Sequence, residues 1–300
     1  MSVAMEAKSA LRREILAQES VSKSKKKWTR VQFPSPESLV KRYASQLELT
    51  QAEEGEAFNL DFNKGLWGEI EGEWRLLYTN NAANAPSSSI SVPPPPFSGS
   101  MNDIEVFRLD SVVQRIKRDK FSVGSDTYAH RQVDHILRFE LNLPDVPLGG
   151  DEPCSSLRGE VVLEHDVKVV SDCYPAKLAI DLRDIKLLVR DETGFLVHVD
   201  EGSEAPPAAS RLMSLLRTIA GISAPSSSSP SNKNEDAAFL TMLSVPLTRL
   251  LSPAILRRGF FEVTYVDDDT RISRGSFGEL RVFERMHSHG EIEKTGESVQ

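Results

Sequence analysis

Three hundred residues, 39% of them hydrophobic and 27% charged, suffice for one large domain or two small ones, and no uninterrupted apolar run reaches the ~18 residues of a membrane-spanning helix. Lys and Arg number 36 against 44 Asp and Glu, and a net charge of -8 disfavours a nucleic-acid binder, which needs a positive field. Two cysteines, Cys154 and Cys173, are too few for a disulfide framework and form no CxxC pair, which fits a reducing compartment.

The first thirty residues mix basic side chains with Glu6, Glu14 and Glu19 and lack the apolar centre of a secretory signal. The same carboxylates give no clear transit peptide. Ala4, Ala7, Leu11 and Ile15 share one helical face, which predicts a short peripheral helix followed by a loose basic tail through Lys25, Lys26 and Lys27. That basic run reads as solvated charge. Ser35 as cap and Pro36 in the first turn open a second helix to about Leu49, with Leu39, Val40, Tyr43 and Leu47 on one face.

From Glu73 the period changes to two, and Trp74, Leu76 and Tyr78 fall on one face of a predicted strand. Residues 80–100, with Pro93 to Pro96 in succession, predict an extended loop because proline donates no ladder hydrogen bond. Alternation then recurs in Val133, His135, Leu137, Phe139 and Leu141, in Val161, Leu163, His165, Val167 and Val169, and in Leu178, Ile180 and Leu182. Turn-like segments separate these strands and no βαβ alternation appears, so the sheet is expected to be an antiparallel meander.

Leu212, Leu215, Leu216 and Ile219 predict a helix over 208–220 that covers one end of the sheet. The Ser-rich segment 222–236 is expected to be a disordered insertion. Residues 239–256 are the most apolar, but Pro246, Arg249 and Pro253 interrupt them, leaving a broken helix over a barrel mouth or a membrane-surface contact. Phe261, Val263 and Tyr265 open the last strands, Arg271 to Gly275 and Leu280 to Glu284 complete them, and 287–300 is a polar tail.

Neither a nucleophile elbow, a phosphate loop, a dinucleotide fingerprint nor a zinc helix is present, so no catalytic residue, metal ligand or cofactor is assigned. His135 and His165 read as hydrogen-bonded core histidines; a lipid-directed enzyme using either as base has no marked partner. Asp267, Asp268 and Asp269 point in different directions and read as an acidic hairpin tip. In an up-and-down barrel the first and last strands become neighbours, which brings an arginine over Trp74: Arg271 is the first candidate and Arg281 the alternative.

Two end segments carry a family resemblance. Ile70 to Thr79, containing Gly72, Trp74 and Tyr78, is similar to the opening G-x-W-x-L-x-Y-T strand of the plastid lipid-associated proteins, the plant and algal fibrillins. Phe261 to Gly275, containing Asp267, Arg271, Arg274 and Gly275, resembles their closing Y-L-D-x-x-x-R-I-x-R-G block, with Val266 in the place of Leu. The resemblance implies a mainly β, lipocalin-like antiparallel barrel over 61–286, preceded by helices within 1–60, with a helical segment near its mouth. It also implies a non-enzymatic protein of plastids, at plastoglobules or thylakoids, that binds a lipid or isoprenoid-type molecule. Inward alternation nominates Trp74, Leu76, Tyr78, His135, Leu137, Phe139, Leu163, Leu182, Val263 and Tyr265 as the lining. Two alternatives stay open at this point: an interior filled by its own side chains, and a scaffold that coats lipid droplets or recruits enzymes through 239–256 without an internal ligand.

Overall fold

The computed structural model describes residues 3–23, 36–57, 69–80, 89–92, 104–123, 126–142, 156–171, 174–190, 196–199, 212–214, 216, 258–276 and 278–286. Two helices, α1 (Val3–Lys23) and α2 (Pro36–Ala57), precede ten strands. The strands are β1 (Gly72–Thr79), β2 (Ser89–Val92), β3 (Ile104–Val123), β4 (Asp126–Asn142), β5 (Ser156–Ser171), β6 (Ala176–Arg190), β7 (Leu196–His198), β8 (Arg258–Val266), β9 (Thr270–Gly275) and β10 (Leu280–Arg285). Every pairing is antiparallel, in the order β1-β10-β9-β8-β6-β5-β4-β3, and β1 pairs with β3 as well as with β10. Eight strands therefore close a ring, as expected of the antiparallel meander, and closure leaves few strand edges unpaired. β2 and β7 lie off the ring, paired with β3 and β6.

Period-two alternation gives this ring two faces with different chemistry. The inner face carries Trp74, Leu76, Leu109, Val112, Ile116, Val133, Leu137, Phe139, Leu163, Leu178, Leu187, Val263 and Phe283, all buried in one apolar cluster. Leu212, Met213 and Leu216 join that cluster from a helical stretch, the described part of the predicted 208–220 helix. A second apolar cluster lies on the outer face, where Tyr78, Tyr265, Ile272, Leu280 and Val282 pack under Ala7, Leu11 and Ile15 of α1 and Val40, Ala44 and Leu47 of α2. At about 1.5–3 kcal/mol for each large aliphatic side chain buried, this outer core is a substantial part of the domain's stability.

Ion pairs fix the helices at both ends of that seam. Lys8 Nζ lies 2.8 Å from Asp267 and also meets Asp269, while Arg12 Nη2 is 3.1 Å from Asp269. Burial acts to raise the Asp269 pKa, but hydrogen bonds from Lys8 and Thr270 outweigh it and bring the carboxyl down to about 2. On α2, Glu48 accepts a two-pronged contact from Arg274 at 2.9 and 2.7 Å and a hydrogen bond from the Thr264 hydroxyl at 2.7 Å. α1 is thus built into the fold rather than peripheral, and α2 runs past the expected end at Leu49 because its Glu48 and Gln51 are still engaged with the barrel.

Other expectations are amended. The 80–100 loop contains β2, since Ser89 to Val92 supply β-compatible residues ahead of the prolines. Cys154, Cys173, the segments 224–234 and 239–256 and the tail from 287 lie outside the described residues. No described helix is long and apolar enough to cross a membrane.

Candidate ligand-binding interior

Gly72 opens β1 at φ +117°, a region that L side chains rarely adopt, and a Cβ there would also meet the Arg285 guanidinium at 3.3 Å. The glycine of the opening motif is thus a backbone requirement. Gly72→Ala is expected to cost about 1–3 kcal/mol of unfolding free energy in a denaturant titration; a loss below about 0.5 kcal/mol would show that the turn relaxes freely.

Two residues on, Trp74 points inward, fully buried, and its indole Nε1 donates to the Ile70 carbonyl at 2.8 Å. Two arginines approach its ring: Arg285, 4.2 Å from the centroid, and Arg271, 4.9 Å away. Arg271 fills the expected role, whereas the second cation is Arg285 and not Arg281. Arg285 donates to the carbonyls of Asp268 at 2.7 Å, of Glu71 at 2.8 Å and of Glu69, so it straps the segment before β1 to the β8–β9 turn. Register explains the choice, since Trp74 lies opposite Arg285 across the β1–β10 ladder.

Arg271 is held differently. Its side chain projects into the ring opposite the outward Ile272, contacts Phe283 at 4.4 Å as well as Trp74, and donates through Nη2 to Gln114 Oε1. A guanidinium only donates, so the Gln114 oxygen faces Arg271 and its amide NH2 faces His135 Nε2 at 2.9 Å. His135 therefore accepts at Nε2 and carries its proton on Nδ1, 3.4 Å from His165 Nδ1. Burial, then the nearby His165, Arg281 and Arg271 charges, push the His135 pKa well below the usual range, which keeps the imidazole neutral at pH 7. The Leu163 carbonyl, which only accepts, lies 3.0 Å from His165 Nδ1, so His165 Nδ1 donates there and accepts no hydrogen bond from the His135 N–H; the two rings meet edge to face instead. The result is a polar relay, Arg271–Gln114–His135, set into an apolar wall.

One end of that relay is incomplete. Arg271 Nε and Nη1 are buried and find no hydrogen-bond partner among the described residues, and no described carboxylate pairs with the guanidinium. Burial, Arg285 and Arg281 all act against its charge and push its pKa down. Each unsatisfied buried group costs about 1–3 kcal/mol, and the charge adds to this. Aromatic contact offsets only part, at about 0.5–2 kcal/mol per ring.

Of the nominated lining, Trp74, Leu76, Leu137, Phe139, Leu163 and Val263 belong to the inner cluster, and Leu182 packs against it partly buried. His135 also faces in, as a relay member. Tyr78 and Tyr265 do not face in. Register shifts between Leu76 and Tyr78 in β1, and between Val263 and Tyr265 in β8, turn both tyrosines to the outer cluster beneath the helices. The Tyr265 hydroxyl there donates to Asp267 at 2.6 Å. The other motif residues have structural tasks: Asp267 accepts from the backbone N–H of Asp269 at 3.1 Å and of Thr270 at 2.8 Å, Arg274 holds α2, and Gly275 N–H donates to the Glu279 carbonyl at 2.9 Å.

On the outer face of β3 to β6 charges alternate across the ladders. Arg138 pairs with Glu160 at 2.9 Å, Arg158 with Glu140 at 2.7 Å, Lys186 with Glu164 at 2.5 Å and Lys117 with Asp134 at 2.9 Å. Paired charges of this kind differ from the apolar belt that a lipid-embedded barrel presents.

Fold and interior together define a closed antiparallel barrel whose first and last strands are locked by arginines over a buried tryptophan. Residues 209–284 match the family PAP_fibrillin, a plastid-associated group of structural and lipid-associated proteins. The match takes in the helical residues 212–214 and 216 and strands β8 to β10 as far as Glu284, and the opening Gly72–Thr79 strand lies outside it. No curated protein and no solved structure matches the chain.

Proposed function

We propose that this protein is a non-enzymatic lipid-binding protein of plastids that takes a hydrophobic molecule into the ring, against Leu76, Leu137, Phe139, Leu163 and Val263. The observation that carries the reading is the sorting of side chains: an apolar inner face, and an outer wall over β3 to β6 that bears paired charges. Burial of ligand surface at about 25 cal/mol per Å² supplies the affinity, and the small helical stretch bearing Leu212 and Leu216 supplies apolar contacts from outside the wall. His135 is a neutral imidazole bonded to the Gln114 amide beside His165, and no carboxylate among the described residues acts on it, which favours the non-enzymatic reading. The family's plastid association supports a place for the protein at a plastoglobule or thylakoid surface.

Leu137→Arg places a charge on the inner face and is expected to abolish uptake of a fluorescent fatty-acyl probe, at a folding cost of several kcal/mol. Lipids extracted from purified protein and identified by mass spectrometry give the independent measure. A folded Leu137→Arg variant that takes up the probe as well as the parent refutes internal binding and leaves the scaffold reading in its place.

A further inference from the structure

An arginine sealed inside an apolar barrel is an unusual expenditure of stability unless something completes it. Arg271 is fully buried, its Nη2 is committed to Gln114, and Nε with both hydrogens of Nη1 remains unbonded among the described residues. The arrangement around it is asymmetric. Trp74 and Phe283 contact its guanidinium carbon, Gln114 and His135 polarise one nitrogen, and Arg281 adds a second positive charge nearby. Arg281 shares the inner parity of β10 with Phe283, since Leu280 and Val282 face the helices. The carboxylate acting on Arg281 is Glu279. Arg271 has none.

The structural duties of the neighbouring arginines sharpen the contrast. Arg285 satisfies its donors with three carbonyls and Arg274 with the Glu48 carboxylate. If Arg271 served only as a cap for Trp74, the fold would duplicate a contact that Arg285 already makes more closely. Its relay to Gln114 and His135 also lies on the inner wall, beside the apolar side chains of β4. The free donors and the apolar face are therefore parts of one compartment.

We infer that Arg271 is the receptor for the anionic oxygen head of an amphipathic lipid, a carboxylate or a phosphate, whose hydrocarbon tail lies along the inner apolar face. This rests on the internal-ligand reading above and adds the ligand's polarity to it. A charge-assisted hydrogen bond from the guanidinium gives Nε or Nη1 the partner that no described residue supplies, and Gln114, held by His135, keeps the guanidinium aimed. Neutral isoprenoids and esters fill the apolar face but leave Arg271 unpaired.

The test compares four ligands of one chain length, oleate, oleyl phosphate, methyl oleate and oleyl alcohol, as competitors of a bound fluorescent acyl probe below their aggregation concentrations. The expected result is that at least one of the two anions binds the parent protein about tenfold or more tightly than both neutral ligands. The preferred head, carboxylate or phosphate, identifies the source. Arg271→Gln is expected to bring anions and neutrals within about twofold of each other while leaving the neutral affinities in place. Equal affinity of anions and neutrals in the parent overturns the receptor role and leaves internal lipid binding standing, and this arm needs no variant to fold. Failure of all four to displace the probe, or of the probe to bind, overturns the internal-ligand reading itself.

Discussion

Trp74→Ala is expected to lower the unfolding free energy by about 3–5 kcal/mol, the largest effect of any single truncation on the inner face. The indole is fully buried, donates to the Ile70 carbonyl, and is contacted by Arg271 and Arg285. Truncation leaves a cavity the size of a bicyclic ring and removes an aromatic partner from Arg271, whose charge already lacks a carboxylate among the described residues. Trp74→Phe keeps an aromatic face but loses the N–H donor and is expected to cost less than the alanine change. Urea titration of the three proteins measures the order. An alanine variant within about 1 kcal/mol of the parent is incompatible with a barrel closed around this side chain.

Leu11→Ala is expected to cost about 2–5 kcal/mol although it lies sixty residues before the first strand. Leu11 is fully buried in the outer cluster, beside Ile15, Val40 and Leu47 and against Ile272 and Val282 of the closing strands. Leu16, one position beyond the stripe, is 63% exposed, so Leu16→Ala supplies a control expected to stay within about 0.5 kcal/mol. Equal effects at the two positions would mean that α1 does not dock as a wall of the domain.

The two helices and seven of the strands could be placed from periodicity, because each carries a stripe long enough to read, as in Leu11 and Ile15, Val40 and Leu47, Leu137 and Phe139, and Val161 and Leu163. β3 was not legible. A register shift between Leu109 and Ser111 moves its inward set from odd to even positions, and the charges at Arg108, Asp110, Arg115 and Lys117 resemble a polar loop when neither face is continuous. Gln114 went unread with it, so the relay that holds Arg271 had no visible middle. Bulges also explain Tyr78 and Tyr265, which alternation carries inward and the register shifts send beneath the helices. The Arg271–Trp74 approach was legible because both residues sit in end motifs and closure makes the ends neighbours, whereas Arg285 required the register itself. That α1 is structural rather than peripheral was hidden for a similar reason: its partners, Asp267 and Asp269, are more than 250 positions away.

The position of those partners in the chain has a consequence for biosynthesis. The Lys8–Asp267 bond spans 259 residues, and β1 cannot complete its pairing before β10 exists. At about 5–20 residues per second, a ribosome needs roughly ten to fifty seconds to make the intervening polypeptide. Throughout that interval the Leu11 face of α1 and one edge of β1 are without their native cover, while the β3–β6 meander, whose pairings join consecutive strands, is free to form as it emerges. The nascent protein therefore passes through an open sheet carrying an uncovered amphipathic helix, the kind of species that holdase chaperones capture. Only the last emerging strands, β8 to β10, convert it into a ring, so a chain interrupted between His198 and Leu280 retains most of its strands and none of its closure.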